Sequence, residues 1–162
     1  MTGTRMIALW TAVVLAVLFC GFGGWSFAQA EADESLAYAG SRDTALADGK
    51  RHIASLTSFD AQQPEAGLRR WLDASTGPLR ADLKRQSTTT GPTARSEITD
   101  AALTALDDRA GTAELIATVE VETGRPGGDA PQTERKRLEA ALARTSDGWK
   151  VQSLAAVPVG GV

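Results

Sequence analysis

The chain contains very few of the residues that enzymes use for covalent or metal chemistry. Of its 162 residues, one is cysteine and one is histidine. Cys20 lies inside a long apolar run, so neither a disulfide framework nor thiolate chemistry is open to the rest of the chain. His52 lies in a Lys50-Arg51-His52 cluster, and general-base or metal duty would need partners that converge on it. We predict a solvated helix position for His52, and we expect no catalytic residue, metal site or cofactor.

Aromatic residues and excess positive charge are also scarce. Aromatics make up 6% of the chain, and 17 basic residues face 20 acidic ones, for a net charge of −3. A slightly acidic domain has no electrostatic footprint for nucleic acid, so we expect no nucleic-acid partner. The core must be built mainly from Leu, Val, Ile and Ala, because only four aromatic residues lie outside the N-terminal apolar run: Tyr38, Phe59, Trp71 and Trp149.

What the sequence does contain is an uncharged run from Met6 to Ala28. At about 1.5 Å per helical residue the run reaches about 34 Å, enough to cross a hydrocarbon core of about 30 Å. Arg5 is the only charged residue before it, and the first charges after it are acidic (Glu31, Asp33 and Glu34). By the positive-inside rule, the N-terminus is predicted to be cytoplasmic and the C-terminal part extracytoplasmic. The sequence therefore predicts a single-pass anchor in the cell membrane.

A cleaved secretion signal is the alternative to a retained anchor. Ala28-Gln29-Ala30 has the A-x-A pattern of a cleavage site. Against cleavage, the apolar core of a signal peptide is usually about 7–15 residues, which is shorter than this run. We favour the retained anchor, and both alternatives place residues 31–162 outside the cytoplasm.

The remaining chain of about 130 residues has the usual size of one domain. The predicted organisation is a cytoplasmic tail at 1–5, a transmembrane anchor at 6–28, a stalk at 29–40, an extracytoplasmic domain at 41–157 and a flexible tail at 158–162.

The first half of the domain has helical periodicity. Ser35 to Leu56 is rich in alanine, and Leu46, Ile53 and Leu56 share one helix face, with a break predicted at Gly40-Ser41 or Gly49. A second short helix begins near Pro64 and is predicted to end at Gly77-Pro78. A third short helix follows, with Leu79 and Leu83 one turn apart.

The second half has the period of strands. Thr112 to Thr123 alternates apolar and polar residues, which indicates a half-buried strand. Arg95 to Leu106 is predicted as its partner, and Trp149 to Ala155 as the last strand. Thr133 to Thr145 has high helix propensity, but the Asp147-Gly148 turn after it requires a strand on each side. We predict a strand there, and hence an α+β domain with two or three helices packed on a sheet of about four antiparallel strands.

Two sets of charged residues are candidates for a functional site. Three acids of the Thr112–Thr123 strand alternate with apolar residues and are predicted to face solvent instead of acting as an internal base: Glu114, Glu120 and Glu122. A basic cluster around the second and third helices is a candidate surface for docking an acidic partner or phosphate groups, or simply a solvated helix face. It comprises Arg69, Arg70, Arg80, Lys84 and Arg85. Trp71 and Trp149 are predicted to pack helix against sheet.

The layout resembles that of the Mce-associated membrane proteins of actinobacteria. The segments that carry the resemblance are Leu56-Thr57-Ser58-Phe59-Asp60, Ala74-Ser75-Thr76-Gly77-Pro78-Leu79 and Asp147-Gly148-Trp149-Lys150-Val151, behind an N-terminal anchor. The resemblance implies a cystatin-like or nuclear-transport-factor-2-like fold. It also implies a non-catalytic accessory or scaffold role in the cell envelope, supporting an Mce-type lipid import complex.

The partners implied are therefore Mce-type transporter subunits or other envelope proteins, and homodimers are known for sheets of this superfold. Two alternatives remain open at this point. One is a module that binds a lipid or small apolar ligand between helices and sheet, which a fully packed interior would exclude. The other is a component of a conjugation or type IV secretion assembly, whose periplasmic domains share the anchor and the superfold.

Overall fold

The computed structural model describes three stretches of the chain: residues 35–85, 91–124 and 130–157. The predicted anchor at 6–28 and the tails at 1–5 and 158–162 lie outside them. Across the three stretches, no helix combines the length and the apolar character needed to cross a bilayer.

The chain divides into two compact units, residues 1–40 and residues 41–162. Of the first unit, residues 35–40 are described, and they are helical and exposed. The second unit contains the sheet and the helices that pack on it.

The first helix, α1, comprises residues 35–57 without a break, so the predicted interruption at Gly40-Ser41 or Gly49 is wrong. Gly49 is buried against the sheet. A Cβ atom at this position would lie 2.8 Å from Leu115 Cδ1 and 3.0 Å from Leu142 Cδ1. Glycine at position 49 therefore allows the helix to approach the sheet closely. The packing gained by this approach outweighs the low helix propensity of glycine.

Two short helices follow, α2 (Pro64–Ala74) and α3 (Gly77–Arg85). Pro64 occupies the first turn of α2, where its missing N–H is not needed. The second helix ends at Ala74, before Gly77-Pro78, and this dipeptide instead begins α3. Gly77 has a φ of +54°, a conformation that favours glycine, and it redirects the chain between the two helices.

Four strands form one antiparallel sheet in the order β1-β2-β3-β4. They are β1 (Thr93–Asp107), β2 (Thr112–Gly124), β3 (Gln132–Thr145) and β4 (Gly148–Ala156). The predicted α+β fold with its four-stranded sheet is confirmed. The strand at β3 is also confirmed, because pairing with β2 and β4 outweighs the helix propensity of its residues.

The edge strand β1 carries two bulges, one between Ile98 and Asp100 and one between Leu103 and Ala105. Each bulge inserts one residue and so reverses which face the following side chains occupy. As a result Ile98, Leu103 and Leu106 all pack against the core, although their spacing does not follow a strict alternation.

The core lies between α1 and the sheet. The β2 alternation is as predicted, with five inward positions buried: Ala113, Leu115, Ala117, Val119 and Val121. Glu114 and Glu122 are exposed on the opposite face, as predicted, and Glu120 is half-buried. The rest of the core comes from Ala45 and Ile53 of α1, Leu138, Ala140 and Leu142 of β3, and Trp149 and Val151 of β4.

Candidate functional site

At one end of the sheet the β1–β2 and β3–β4 turns lie against α1; we call residues 107–112 and 144–149 the turn end. Asp48 of α1 is buried there, and its Oδ2 accepts a hydrogen bond from the Trp149 backbone N–H at 3.1 Å. Its Oδ1 accepts another from Arg51 at 2.7 Å. Gly148 has a φ of +99°, and a Cβ atom on it would lie 2.8 Å from Asp48 Oδ2. The tight Asp-Gly turn is therefore held by a carboxylate from the helix.

His52 lies one helical turn after Asp48 and is half-buried, so the predicted solvated position is wrong. Burial lowers the pKa of the His52 imidazole, and the positive charges of Arg51 and Lys150 lower it further. Asp48 and a hydrogen bond with the Trp149 backbone act in the opposite direction. The imidazole thus packs over the same turn that Asp48 holds, and its uncharged form is favoured.

Arg144 of β3 joins three elements at the turn end. Its guanidinium donates to Ser41 Oγ of α1 at 2.6 Å and forms an ion pair with Asp108 of the β1–β2 turn. The same group lies 4.8 Å from the ring centre of Trp149, within the range of a cation–π contact. Hydrogen bonds from Ser41 and Arg144 lower the pKa of the Asp108 carboxyl. Trp149 is 2% exposed and packs between helix and sheet, as predicted.

Trp71 has a different role from the one predicted. It is half-buried on α2, and its Nε1 donates to the carbonyl oxygens of Ser55 and Ser58, each at 3.0 Å. Its ring lies 5.7 Å from that of Phe59, centre to centre. Trp71 therefore connects α2 to the C-terminal end of α1, where helix carbonyls lack intrahelical partners. Its hydrogen bonds are made to α1 and the residues just after it, instead of to the sheet.

The structure separates the predicted basic cluster into groups with different surroundings. Arg80 is half-buried, and its guanidinium donates to the Leu72 carbonyl oxygen at 2.6 Å and to that of Ser75 at 3.4 Å. It therefore caps the C-terminus of α2. Arg85 forms an ion pair with Asp82. Arg69, Arg70 and Lys84 are exposed, and none of their side chains forms a hydrogen bond or ion pair with any part of the chain that the structure describes.

Arg70 of the basic cluster lines a cleft in the described part of the chain. The cleft has a volume of about 570 Å³ and lies at the end of the sheet opposite the turn end; we call this the open end. The α1–α2 loop closes one side of it, since Phe59 and Ala94 exchange two backbone hydrogen bonds of 2.8 Å each. The lining residues are Ser58, Phe59, Asp60, Gln62, Arg70, Thr93, Ala94, Arg95, Glu122, Gly124 and Pro131.

The cleft brings together charges that are distant in the sequence. Arg70 comes from α2, Arg95 from β1, Glu122 from β2 and Asp60 from the α1–α2 loop. Arg95 and Glu122 are register partners across the β1–β2 pair. Sequence reasoning missed Asp60, Arg95 and Phe59 as site residues. The proline-flanked turn around Asp60 was the one available signal, and it does not indicate which strand the turn contacts.

Among the described residues, no three His, Cys, Asp or Glu side chains are grouped so that they could hold a metal ion. The charged groups at the open end are instead suited to hydrogen bonds and ion pairs with another molecule.

No protein-family model matches the chain, and no curated protein sequence matches it. Solved structures do match. CagV of Helicobacter pylori, a VirB8 homolog of a type IV secretion system, aligns with a TM-score of 0.58 at 8% identity, over 73% of this chain and 99% of that one. An IcmL-like type IV secretion system protein of Legionella pneumophila aligns with a TM-score of 0.56 at 14% identity, over 75% of this chain and 95% of that one.

At such low identity the likeness concerns the fold. The described domain has the nuclear-transport-factor-2-like α+β fold of VirB8-type proteins, with three helices on a four-stranded antiparallel sheet. The superfold that the sequence resemblance implied is thereby confirmed. No family model and no curated protein supports membership of the Mce-associated family.

Proposed function

We propose that this protein is a non-catalytic assembly component of a cell-envelope transport machine, with its α+β domain acting as a protein-docking module outside the cytoplasm. A secretion or conjugation machine of the type IV class is the favoured setting, because two proteins of such systems share the fold over nearly their whole length. The predicted N-terminal anchor would hold the domain at the membrane surface.

The observation that carries the proposal is the filled interior. In enzymes and lipid carriers of this superfold, the space between helices and sheet is where a ligand would lie. Here Ile53, Leu115 and Leu142 fill that space, and they are at most 1% exposed. Gly49 brings the helix backbone against the same two leucines. A domain whose interior is packed in this way can contact other molecules through its outer surface. The packing therefore supports a protein-docking function in preference to an apolar ligand or an active site inside the domain.

An Mce-type lipid import complex is the second candidate setting. It is favoured by the three sequence segments that resemble Mce-associated proteins, of which Asp147 to Val151 forms the turn held by Asp48. The docking role of the domain would be the same in both settings. They differ in which subunits it contacts.

Site-specific photo-crosslinking in native membranes can test the proposal. A photo-reactive residue would replace Arg69 or Lys84 on the helical side, and Arg109 in the exposed β1–β2 turn as a matched surface position. We expect crosslinks from the helical side to subunits of a secretion or conjugation channel. Mce-type subunits in their place would select the second candidate. Crosslinks to no transport subunit from any of the three positions would refute the docking role.

A further inference from the structure

Two arginine side chains from separate elements line the open-end cleft, Arg70 of α2 and Arg95 of β1. Both are exposed, and neither guanidinium forms a hydrogen bond or an ion pair with a described group. A guanidinium has five donors in a rigid planar fork that fits a carboxylate with two parallel hydrogen bonds. Both forks are therefore open to a ligand.

Among the described residues, neither acid of the cleft forms an ion pair with these two arginines. Asp60 Oδ1 accepts a hydrogen bond of 2.9 Å from the backbone N–H of Gln62, so it is engaged by its own loop. Glu122 is opposite Arg95 in the strand register, but no ion pair joins the two side chains. Two carboxylates and two guanidinium groups line the cleft, so its formal charges balance. Both guanidinium groups are nevertheless without a described partner, and each can take a carboxylate of a ligand.

An apolar wall lies beside the arginines. Phe59 is 8% exposed, and Ala94 and Pro131 adjoin it along the cleft. The backbone bridge between Phe59 and Ala94 fixes this wall, and Trp71 packs against the Phe59 ring from the side of α2. The volume of about 570 Å³ falls within the usual range of ligand sites, about 300–1,000 Å³.

We propose that the open-end cleft binds an extended segment of a partner protein in which a carboxylate side chain stands next to an apolar one. The carboxylate pairs with Arg70 and Arg95, and the apolar side chain packs on Phe59. Glu122 at the rim accepts a hydrogen bond from the backbone N–H of the segment. This inference rests on the proposed docking function. It places the contact with the partner protein in the open-end cleft instead of across the whole basic cluster.

A peptide-binding experiment on the full chain, purified in mild detergent, tests the cleft without the native partner. The probe is N-acetyl-Leu-Asp-Leu-amide, with the Asn analogue as its uncharged match. Titrations followed by calorimetry would compare the wild type with Arg70→Gln, Arg95→Gln and Arg69→Gln. Arg69→Gln is the matched control, because it removes the same charge from the neighbouring position of α2 outside the cleft.

We expect the Asp peptide to bind about fivefold more tightly than the Asn peptide, since an exposed charge pair contributes up to about 1 kcal/mol. Arg70→Gln and Arg95→Gln should each remove most of this preference, and Arg69→Gln should leave it within about twofold. All three variants should unfold at the wild-type temperature, because exposed side chains without partners contribute little to stability.

Three results would overturn the inference. They are equal binding of the Asp and Asn peptides, an equal loss from Arg69→Gln, and no binding of either peptide at millimolar concentration. Tighter binding of a short-chain phosphatidic acid than of the Asp peptide would likewise replace the protein segment with a lipid headgroup. If the Asp peptide binds as expected but no transport subunit is crosslinked in membranes, the cleft stands and the proposed setting falls.

Discussion

The two ends of the sheet are built from the same strands but are stabilised very differently. At the turn end, α1 reaches both turns: Asp48 holds the Trp149 N–H, and Ser41 meets Arg144 and its partner Asp108. At the open end, the Phe59–Ala94 backbone bridge holds the α1–α2 loop to the sheet, and the charged side chains of Arg70 and Arg95 extend toward solvent.

The contrast shows how a small domain divides its polar groups between folding and recognition. Asp48, Arg144 and Asp108 at the turn end are paired, and Asp48 is buried, so they fix the position of α1 on the sheet. Arg70 and Arg95 at the open end are exposed and have no described partner, so they add little to stability and remain available to a ligand. Substitutions at matched positions of the two ends should therefore change the free energy of unfolding by different amounts.

The two tryptophans outside the N-terminal run provide the largest expected difference. Trp149→Ala at the turn end should lower the free energy of unfolding by about 3–5 kcal/mol, because a nearly fully buried indole leaves a large cavity. Trp71→Ala, which removes a half-buried ring and two hydrogen bonds to the end of α1, should cost about 2–3 kcal/mol. Urea unfolding followed by far-UV circular dichroism measures both.

A Trp149→Phe variant is the control for size at the turn end. It retains an aromatic ring under the Arg144 guanidinium and should recover a large part of the loss. A greater loss from Trp71→Ala than from Trp149→Ala would mean that the helix–helix contact, and not the turn end, is the main source of stability.

Two aspartates provide the second comparison. Asp48→Ala should lower the free energy of unfolding by about 1–3 kcal/mol, because it leaves the buried Trp149 N–H without an acceptor. Asp60→Ala, which removes a single hydrogen bond in an accessible loop, should cost about 0.5 kcal/mol. Asp48→Asn keeps an acceptor oxygen and should fall between the wild type and Asp48→Ala. Equal losses for the two alanine variants would contradict the difference between the ends.

The sequence predicts more of the turn end than of the open end. The Asp147-Gly148-Trp149 turn, the buried face of β2 and the strand at β3 follow from turn chemistry and alternation, both of which are local. Asp48 was not singled out. Its partner, the Trp149 N–H, lies about a hundred residues further along the chain, and nothing in a single helical turn indicates that distance.

The open-end cleft was beyond prediction because of the bulges in β1. An unbroken ladder from the Asp107–Thr112 pair would place Gly124 opposite Arg95. The two bulges shift the register by two residues and bring Glu122 to that position instead. Bulges are set by packing across the whole strand and have no reliable sequence signal in β1, so the composition of the cleft depends on tertiary structure.

Two arginines provide the third comparison. Arg144→Gln should lower the free energy of unfolding by about 1 kcal/mol, because the bond to Ser41, the ion pair with Asp108 and the contact with Trp149 are lost together. Arg70→Gln should change it by less than about 0.5 kcal/mol. Thermal unfolding in low and high salt checks both. A salt-sensitive loss in Arg70→Gln would mean that its charge is used for folding and is not free for a ligand.

The smallest expected effect concerns pH and the turn end. Burial and nearby cations place the pKa of folded His52 below its ordinary value of 6.5, so the unfolded chain binds a proton before the folded one does. Stability should therefore be fully present above about pH 7 and decline as the pH falls through 6.5. His52→Gln should flatten that decline between about pH 7.5 and 5.5.

Asp108 should add a separate loss of stability only as the pH falls below the ordinary pKa of 3.8, since hydrogen bonds from Ser41 and Arg144 lower the pKa of this carboxyl. Melting temperatures of the wild type and His52→Gln, measured from neutral pH to below pH 3.8, distinguish the two groups. A wild type that gained stability on acidification, with the gain lost in His52→Gln, would show that Asp48 dominates the imidazole and that the turn end favours its charged form.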